Sequence, residues 1–253
     1  MTPATARRLV LTALYPALFL SGAAALSYQA TWGRMLQRVF GVSDQAIATV
    51  LASFFLGLGV GSVLGEKLVR RFRGPVRLYA LLEIGIGAWA VASLALVPRI
   101  HDLYAGLGSD AGFGTLTLLR FLLAFLVLLP PTLAMGATLP VLVAAVARRG
   151  VAWSAAATSL YATNTLGAVL GAGLTGLYLV PELGTRATVA LAAAASFAAA
   201  ILVLAVGAAT RGATDESPAR APAPAPETQA PRHPPPTSAP PPPAPHPPHP
   251  PPP

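Results

Sequence analysis

Residues 46–65 read AIATVLASFFLGLGVGSVLG, and residues 66–77 continue as EKLVRRFRGPVR. The first twenty carry no charge. A helix rises about 1.5 Å per residue, so twenty residues cover the ~30 Å hydrocarbon core of a bilayer. The basic run that follows is expensive to bury in lipid and cheap to leave in water. Apolar side chains show no alternation of period two, which argues against a lipid-facing β-barrel strand. This boundary therefore predicts a transmembrane helix that ends in a basic loop.

The same pattern recurs on both sides. Apolar runs are expected to cross at about 9–29, 46–65, 78–97, 116–147, 152–179 and 188–206. The chain has 253 residues, 54% hydrophobic and only 10% charged, with a mean hydropathy of +0.62. A soluble domain carries about 25% charged residues, so lipid is the expected solvent. The first run is longer than the 7–15 apolar residues of a cleaved signal, so it is read as a retained helix. The fourth contains Pro130, Pro131 and Pro140. Proline removes a backbone donor and predicts one kinked helix here, in preference to two half-helices. The expected fold is all-α: six transmembrane helices over residues 1–209, then a proline-rich tail over 210–253.

Basic residues set the expected orientation, because basic loops resist translocation. With six crossings and the N-terminus inside, nine lie inside (Arg7, Arg8, Lys67, Arg70, Arg71, Arg73, Arg77, Arg148 and Arg149). Four lie outside: Arg34, Arg38, Arg99 and Arg186. Both termini are expected in the cytoplasm of a bacterial cell, with the chain in the inner membrane. Trp32 and Tyr104 are then expected at the outer interface, Tyr79 and Trp153 at the inner one. The net charge of +8 is explained by this topology and needs no nucleic acid. The run 66–77 reads as a topology anchor on anionic headgroups, with a gating loop as the alternative.

Charges inside a span are functional candidates. Glu83 and Arg120 qualify, but they enter from opposite faces, leaving an axial gap on the order of 15 Å in a ~30 Å core. Each could instead snorkel to its own interface. Asn164, with Tyr161 one turn before it, falls near mid-depth, and Gln29 lies at the depth of Arg120. These five residues are the candidate polar cavity; Asn164 could equally serve as interhelical glue. Gly57, Gly61 and Gly65 are spaced by four, as are Gly167 and Gly171, which predicts close helix packing or dimerisation. A nucleotide-binding loop is excluded for the first row, which lacks a preceding strand.

No catalytic residue, metal site or cofactor is expected. There is no cysteine, and three of the four histidines lie in the tail. That tail holds 19 of the 27 prolines. It cannot bury enough apolar area to fold and is expected to be disordered and extended.

Several ordered motifs resemble a known group. They include residues 20–29 (LSGAAALSYQ), 55–62 (FLGLGVGS) and 78–87 (LYALLEIGIG). The most specific are 129–140 (LPPTLAMGATLP), 160–171 (LYATNTLGAVLG) and 179–184 (LVPELG). Together they resemble the membrane portion of the bacterial fused major-facilitator/spermidine synthase family. The resemblance implies a helical domain similar to half of a major-facilitator transporter, preceding a soluble aminopropyltransferase-like domain. This chain departs from that plan after Gly207, where no alternating strand and helix pattern follows. Aminopropyl transfer by this chain alone is therefore not expected. The expectation is a membrane domain that binds or transports a small cationic, polyamine-like solute, as a homo-oligomer or with a complex partner. The alternatives are an anchoring subunit of a larger membrane complex, and polyamine synthesis in trans with a separate soluble enzyme.

Overall fold

The computed structural model describes residues 2–108 and 112–210. They form α1 (Pro3–Phe40), α2 (Asp44–Arg71), α3 (Pro75–Gly108), α4 (Phe113–Ala147), α5 (Trp153–Leu174), a π-helical segment (Thr175–Leu183) and α6 (Gly184–Ala209). Among the described residues there is no strand. Five helical stretches are long and apolar enough to cross a membrane, and the fifth runs continuously over Trp153–Ala209. The proline-rich tail lies outside the described residues.

Helices begin and continue for local reasons. Pro3 opens α1, where its missing N–H costs nothing, and the Thr2 side chain accepts from Thr5 N at 3.3 Å. In α4 the chain stays helical through Pro130, Pro131 and Pro140, as one helix. Pro131 cannot donate to the carbonyl of Val127, four residues earlier. Trp89 Nε1 of α3 donates to that carbonyl instead, at 2.9 Å. In a site away from water such a replacement donor is required, because an orphaned carbonyl is costly.

Side-chain contacts fix the direction of each helix. Ala17 meets Tyr79, Ser21 meets Glu83 and Trp32 meets Ser93, so α1 and α3 run parallel. Tyr15 meets Ser159 and Ser27 meets Gly171, so α5 runs parallel to α1 as well. By contrast Tyr28 meets Ser196 and Arg38 meets Thr185, so α6 runs antiparallel to α1. The stretch Trp153–Ala209 therefore folds back on itself. The reversal falls at Gly184, whose φ of 77° and ψ of 167° lie in a region essentially reserved for glycine. The sequence placed a break between 179 and 188; the structure carries helix up to Leu183 and turns at one residue.

Two pairs of helices approach at backbone distance. Gly57, Gly61 and Gly65 of α2 face Thr132, Leu133 and Ala137 of α4. Gly167 and Gly171 of α5 face Phe19 and Ala23 of α1. A methyl group at Gly61 would overlap the Leu133 carbonyl, and one at Gly167 the Phe19 carbonyl. Outward faces remain apolar, with Phe55, Leu126, Val169 and Leu177 all exposed. A coat of this kind suits lipid.

Basic residues collect at one end. Arg148 Nη1 donates to the Arg73 carbonyl at 3.1 Å and Nη2 to that of Val69 at 2.9 Å, and Arg7 lies beside Gly150. The neighbouring Arg149 donates to the Ala145 carbonyl at 2.7 Å, and burial holds its guanidinium below the usual arginine range. Trp153 is 66% exposed at the same end. Trp32 and Tyr79 are fully buried in the bundle, so neither ring is presented on its outer surface. For Trp32 the reason is packing of α1 against α3, where its indole finds the Ser93 hydroxyl at 2.9 Å. For Tyr79 it is packing of α3 against α1, where its hydroxyl finds the Ala17 carbonyl at 3.1 Å. The Tyr104 side chain lies outside the described residues.

Candidate functional site: a buried carboxyl between two apolar cores

The interior divides into two apolar cores. One contains Tyr28, Trp32, Phe54, Ile86, Leu128 and Ala193. The other contains Leu14, Leu18, Ala80, Leu142, Leu160 and Ala199. On α1 the division falls between Leu18 and Ala24, on α3 between Ala80 and Ile86, and on α6 between Ala193 and Ala199. Ser21, Glu83 and Ser196 occupy these three gaps.

Glu83 is 0% exposed. Ser21 Oγ of α1 donates to its Oε1. The Tyr79 and Ser196 hydroxyls stand beside the same carboxyl. Tyr79 is one helical turn before Glu83 on α3, so both share a face. Ser196 Oγ in turn accepts from the Tyr28 hydroxyl at 3.3 Å. Glu83 Oε2 has no hydrogen-bond partner. Among the described residues the ion pair found is Arg70 with Glu66 at 2.7 Å, on the surface and far from this layer. An exposed i,i+4 pair of this kind is worth about 0.3–0.5 kcal/mol. The buried carboxyl is a different matter. A charge away from water must be neutralised by a proton, a partner or a ligand.

A second polar layer lies nearer the far end of the bundle. Trp32 Nε1 donates to Ser93 Oγ at 2.9 Å, and the Trp32 ring stacks on Tyr28 with centroids 5.0 Å apart. Between α1 and the π segment, Thr175 Oγ1 donates to Ser27 Oγ at 2.8 Å. These groups satisfy each other; among the described residues, Glu83 Oε2 is the buried side-chain atom without a hydrogen-bond partner.

The five residues singled out from the sequence do not converge. Glu83 is at the centre of the cluster and does not snorkel. Asn164 is half-buried at the same level, with its backbone carbonyl against Gly22, the neighbour of Ser21. It thus flanks α1 from α5. Tyr161 is 60% exposed and points away from the interior. Gln29 is half-buried, two turns along α1 from Ser21. Arg120 is half-buried and distant. The Arg148–Arg73 contact puts the end of α4 beside the start of α3, so the two run antiparallel, and Trp89–Val127 registers them; Glu83 lies six residues before Trp89 and Arg120 seven before Val127. Their axial separation is thus about 20 Å at 1.5 Å per residue. Sequence reading missed Ser21, Tyr28, Tyr79 and Ser196. Tyr79 was within reach, because it stands four residues before a buried acid. Single serines in apolar runs carry no comparable signal.

Over its described residues the chain is thus all-helical, with five helical stretches long and apolar enough to cross a membrane and an acidic residue sealed inside. No family model, curated protein or solved structure matches it.

Proposed function

We propose that this chain is a six-crossing membrane domain that binds a small cationic solute, with Glu83 as the buried counter-charge. The observation that carries this reading is Glu83 Oε2, a carboxylate oxygen with no donor inside an apolar bundle. An ammonium group or a proton supplies what that oxygen lacks. The surrounding hydroxyls of Ser21, Tyr79 and Ser196 offer neutral dipoles that tolerate either state.

Six crossings are supported by the reversal at Gly184. A straight helix of the length of Trp153–Ala209, 57 residues, would extend about 85 Å, far beyond a bilayer. Folded back, it supplies two crossings, and the basic clusters around Arg7, Arg73 and Arg148 fall at one end. On the positive-inside rule that end is cytoplasmic, in a bacterial inner membrane. The resemblance to the membrane portion of the fused major-facilitator/spermidine synthase family extends the proposal to a polyamine-like solute and to a half-transporter that pairs with a second copy. Because Glu83 is sealed, loading requires α1, α3 and α6 to separate.

The test is uptake of labelled spermidine into proteoliposomes, with equilibrium binding on the same protein. Wild type is expected to bind and accumulate the label. Glu83→Gln keeps the shape, removes the charge, and is expected to lose at least tenfold in affinity. Absence of binding by folded wild-type protein overturns the reading in favour of an anchoring subunit.

A further inference from the structure

At the end of the bundle opposite the Arg73–Arg148 contact lies a cavity of about 330 Å³, lined by α1, α3 and the start of α6. Its floor is apolar: Met35, Val39 and Val97 are buried and Leu94 half-buried, with Pro98 exposed at the edge. Its rim carries Arg38, Arg186, His101, Thr185 and Asp102. We propose that this cavity is a binding site for an amphiphilic phosphate, with the oxyanion on the rim and an apolar body on the floor. The site is separate from Glu83 and does not depend on the function proposed above.

Three observations carry the proposal. Two arginines from helices distant in sequence line one opening, against a single carboxylate residue, so the rim has positive charge to spare. Arg38 is held toward the cavity by a neutral acceptor, Thr185 Oγ1, at 3.3 Å. A hydroxyl positions the fork without neutralising it, leaving the other donors for a ligand. Thr185 is itself buried, which fixes the geometry of that contact. Finally, the floor is continuous with the apolar core through Met35, Val39 and Val97. Water gains little there, whereas a hydrocarbon segment loses its exposed surface. A cation would meet two arginines, and a purely apolar ligand would leave the rim unused. Arginine forks match phosphate oxygens in pairs.

A phosphate with an apolar body can arrive as a membrane phospholipid or as a soluble phosphate ester. The experiment uses the full chain in nanodiscs and reads its thermal unfolding midpoint and ligand affinity. One arm compares phosphatidylglycerol with phosphatidylcholine discs. The other titrates hexyl phosphate into phosphatidylcholine discs. Stabilisation in the first arm assigns the site to a lipid headgroup; saturable binding in the second assigns it to a soluble ester. In whichever arm responds, Arg38→Gln with Arg186→Gln is expected to weaken the effect at least tenfold. Leu94→Trp fills the floor with every charge retained, and is expected to do the same should the arginine pair fail to fold. Arg148→Gln, at the other end, is expected to leave it unchanged. No response in either arm, or equal responses from wild type and Leu94→Trp, overturns the proposal.

Discussion

The Ser21 hydroxyl of α1 donates to Oε1 of Glu83 on α3, while the other oxygen of that carboxyl has no donor. The bond crosses the junction of two apolar cores, so the serine is the partner that holds the acid in place. Ser21→Ala takes the serine donor from Oε1, leaving a buried acceptor unpaired, and is expected to cost about 1–3 kcal/mol. In a Glu83→Leu background the same change should cost little, giving a coupling within the 0.5–3 kcal/mol seen for contacting pairs, on the order of 1 kcal/mol. Chemical unfolding of the four proteins in detergent measures it. Equal costs in both backgrounds would mean that Ser21 acts through packing alone.

Trp89 and Pro131 form a second linked pair. Trp89→Phe removes the donor to the Val127 carbonyl. An orphaned buried carbonyl costs about 1–3 kcal/mol. Pro131→Ala restores a backbone N–H at the position that normally serves that carbonyl. The tryptophan substitution is therefore expected to be milder in the Pro131→Ala background, as read by unfolding midpoints. No rescue would place the cost in lost ring packing.

Glycine spacing in α2 makes a contrast within one turn. Gly61→Ala drives a methyl into the Leu133 carbonyl and is expected to destabilise by about 1–3 kcal/mol. Gly59 has nothing within 4 Å, so Gly59→Ala is expected to be neutral or to stabilise. The helix preference for alanine is about 0.8–1.0 kcal/mol. Thermal melts of the two variants compare them, and equal melting points would contradict the α2–α4 contact.

Gly184→Ala tests the reversal. At φ 77° and ψ 167° a Cβ is strained whatever space surrounds it, and the cost expected is about 1–3 kcal/mol. A larger effect on α6 than on α1 in hydrogen exchange would follow, because α6 hangs on that turn. Wild-type protection in α6 would argue that the chain does not bend there.

The absence of cysteine makes topology accessible to single-cysteine labelling. Arg73→Cys and Arg149→Cys are expected to react from one side of a sealed vesicle, and Val42→Cys and Arg186→Cys from the other. In whole cells the first pair should be protected from an impermeant reagent, following the positive-inside rule. A split within either pair removes the six-crossing arrangement.

Sequence alone determined that helices able to span a membrane dominate the first 209 residues, and where the basic residues and glycine rows fall along them. Those properties are local: hydropathy sums over a window, and helix length follows from rise per residue. The continuity of α4 through three prolines was legible as well. Only the tertiary structure decided which polar groups meet. Ser21, Glu83 and Ser196 are 62 and more residues apart, and α3 could have turned its acid toward lipid-level solvent or toward Arg77. Helix rotation is set by packing summed over a whole face, with α1 wedged between α3, α5 and α6. The axial gap between Arg120 and Glu83 already followed from their positions along their spans, whereas that sum placed Trp32 and Tyr79 inside and turned Tyr161 out. The sharp return at Gly184 is of the same kind, since a glycine permits the turn while contacts of α5 and α6 with α1 require it.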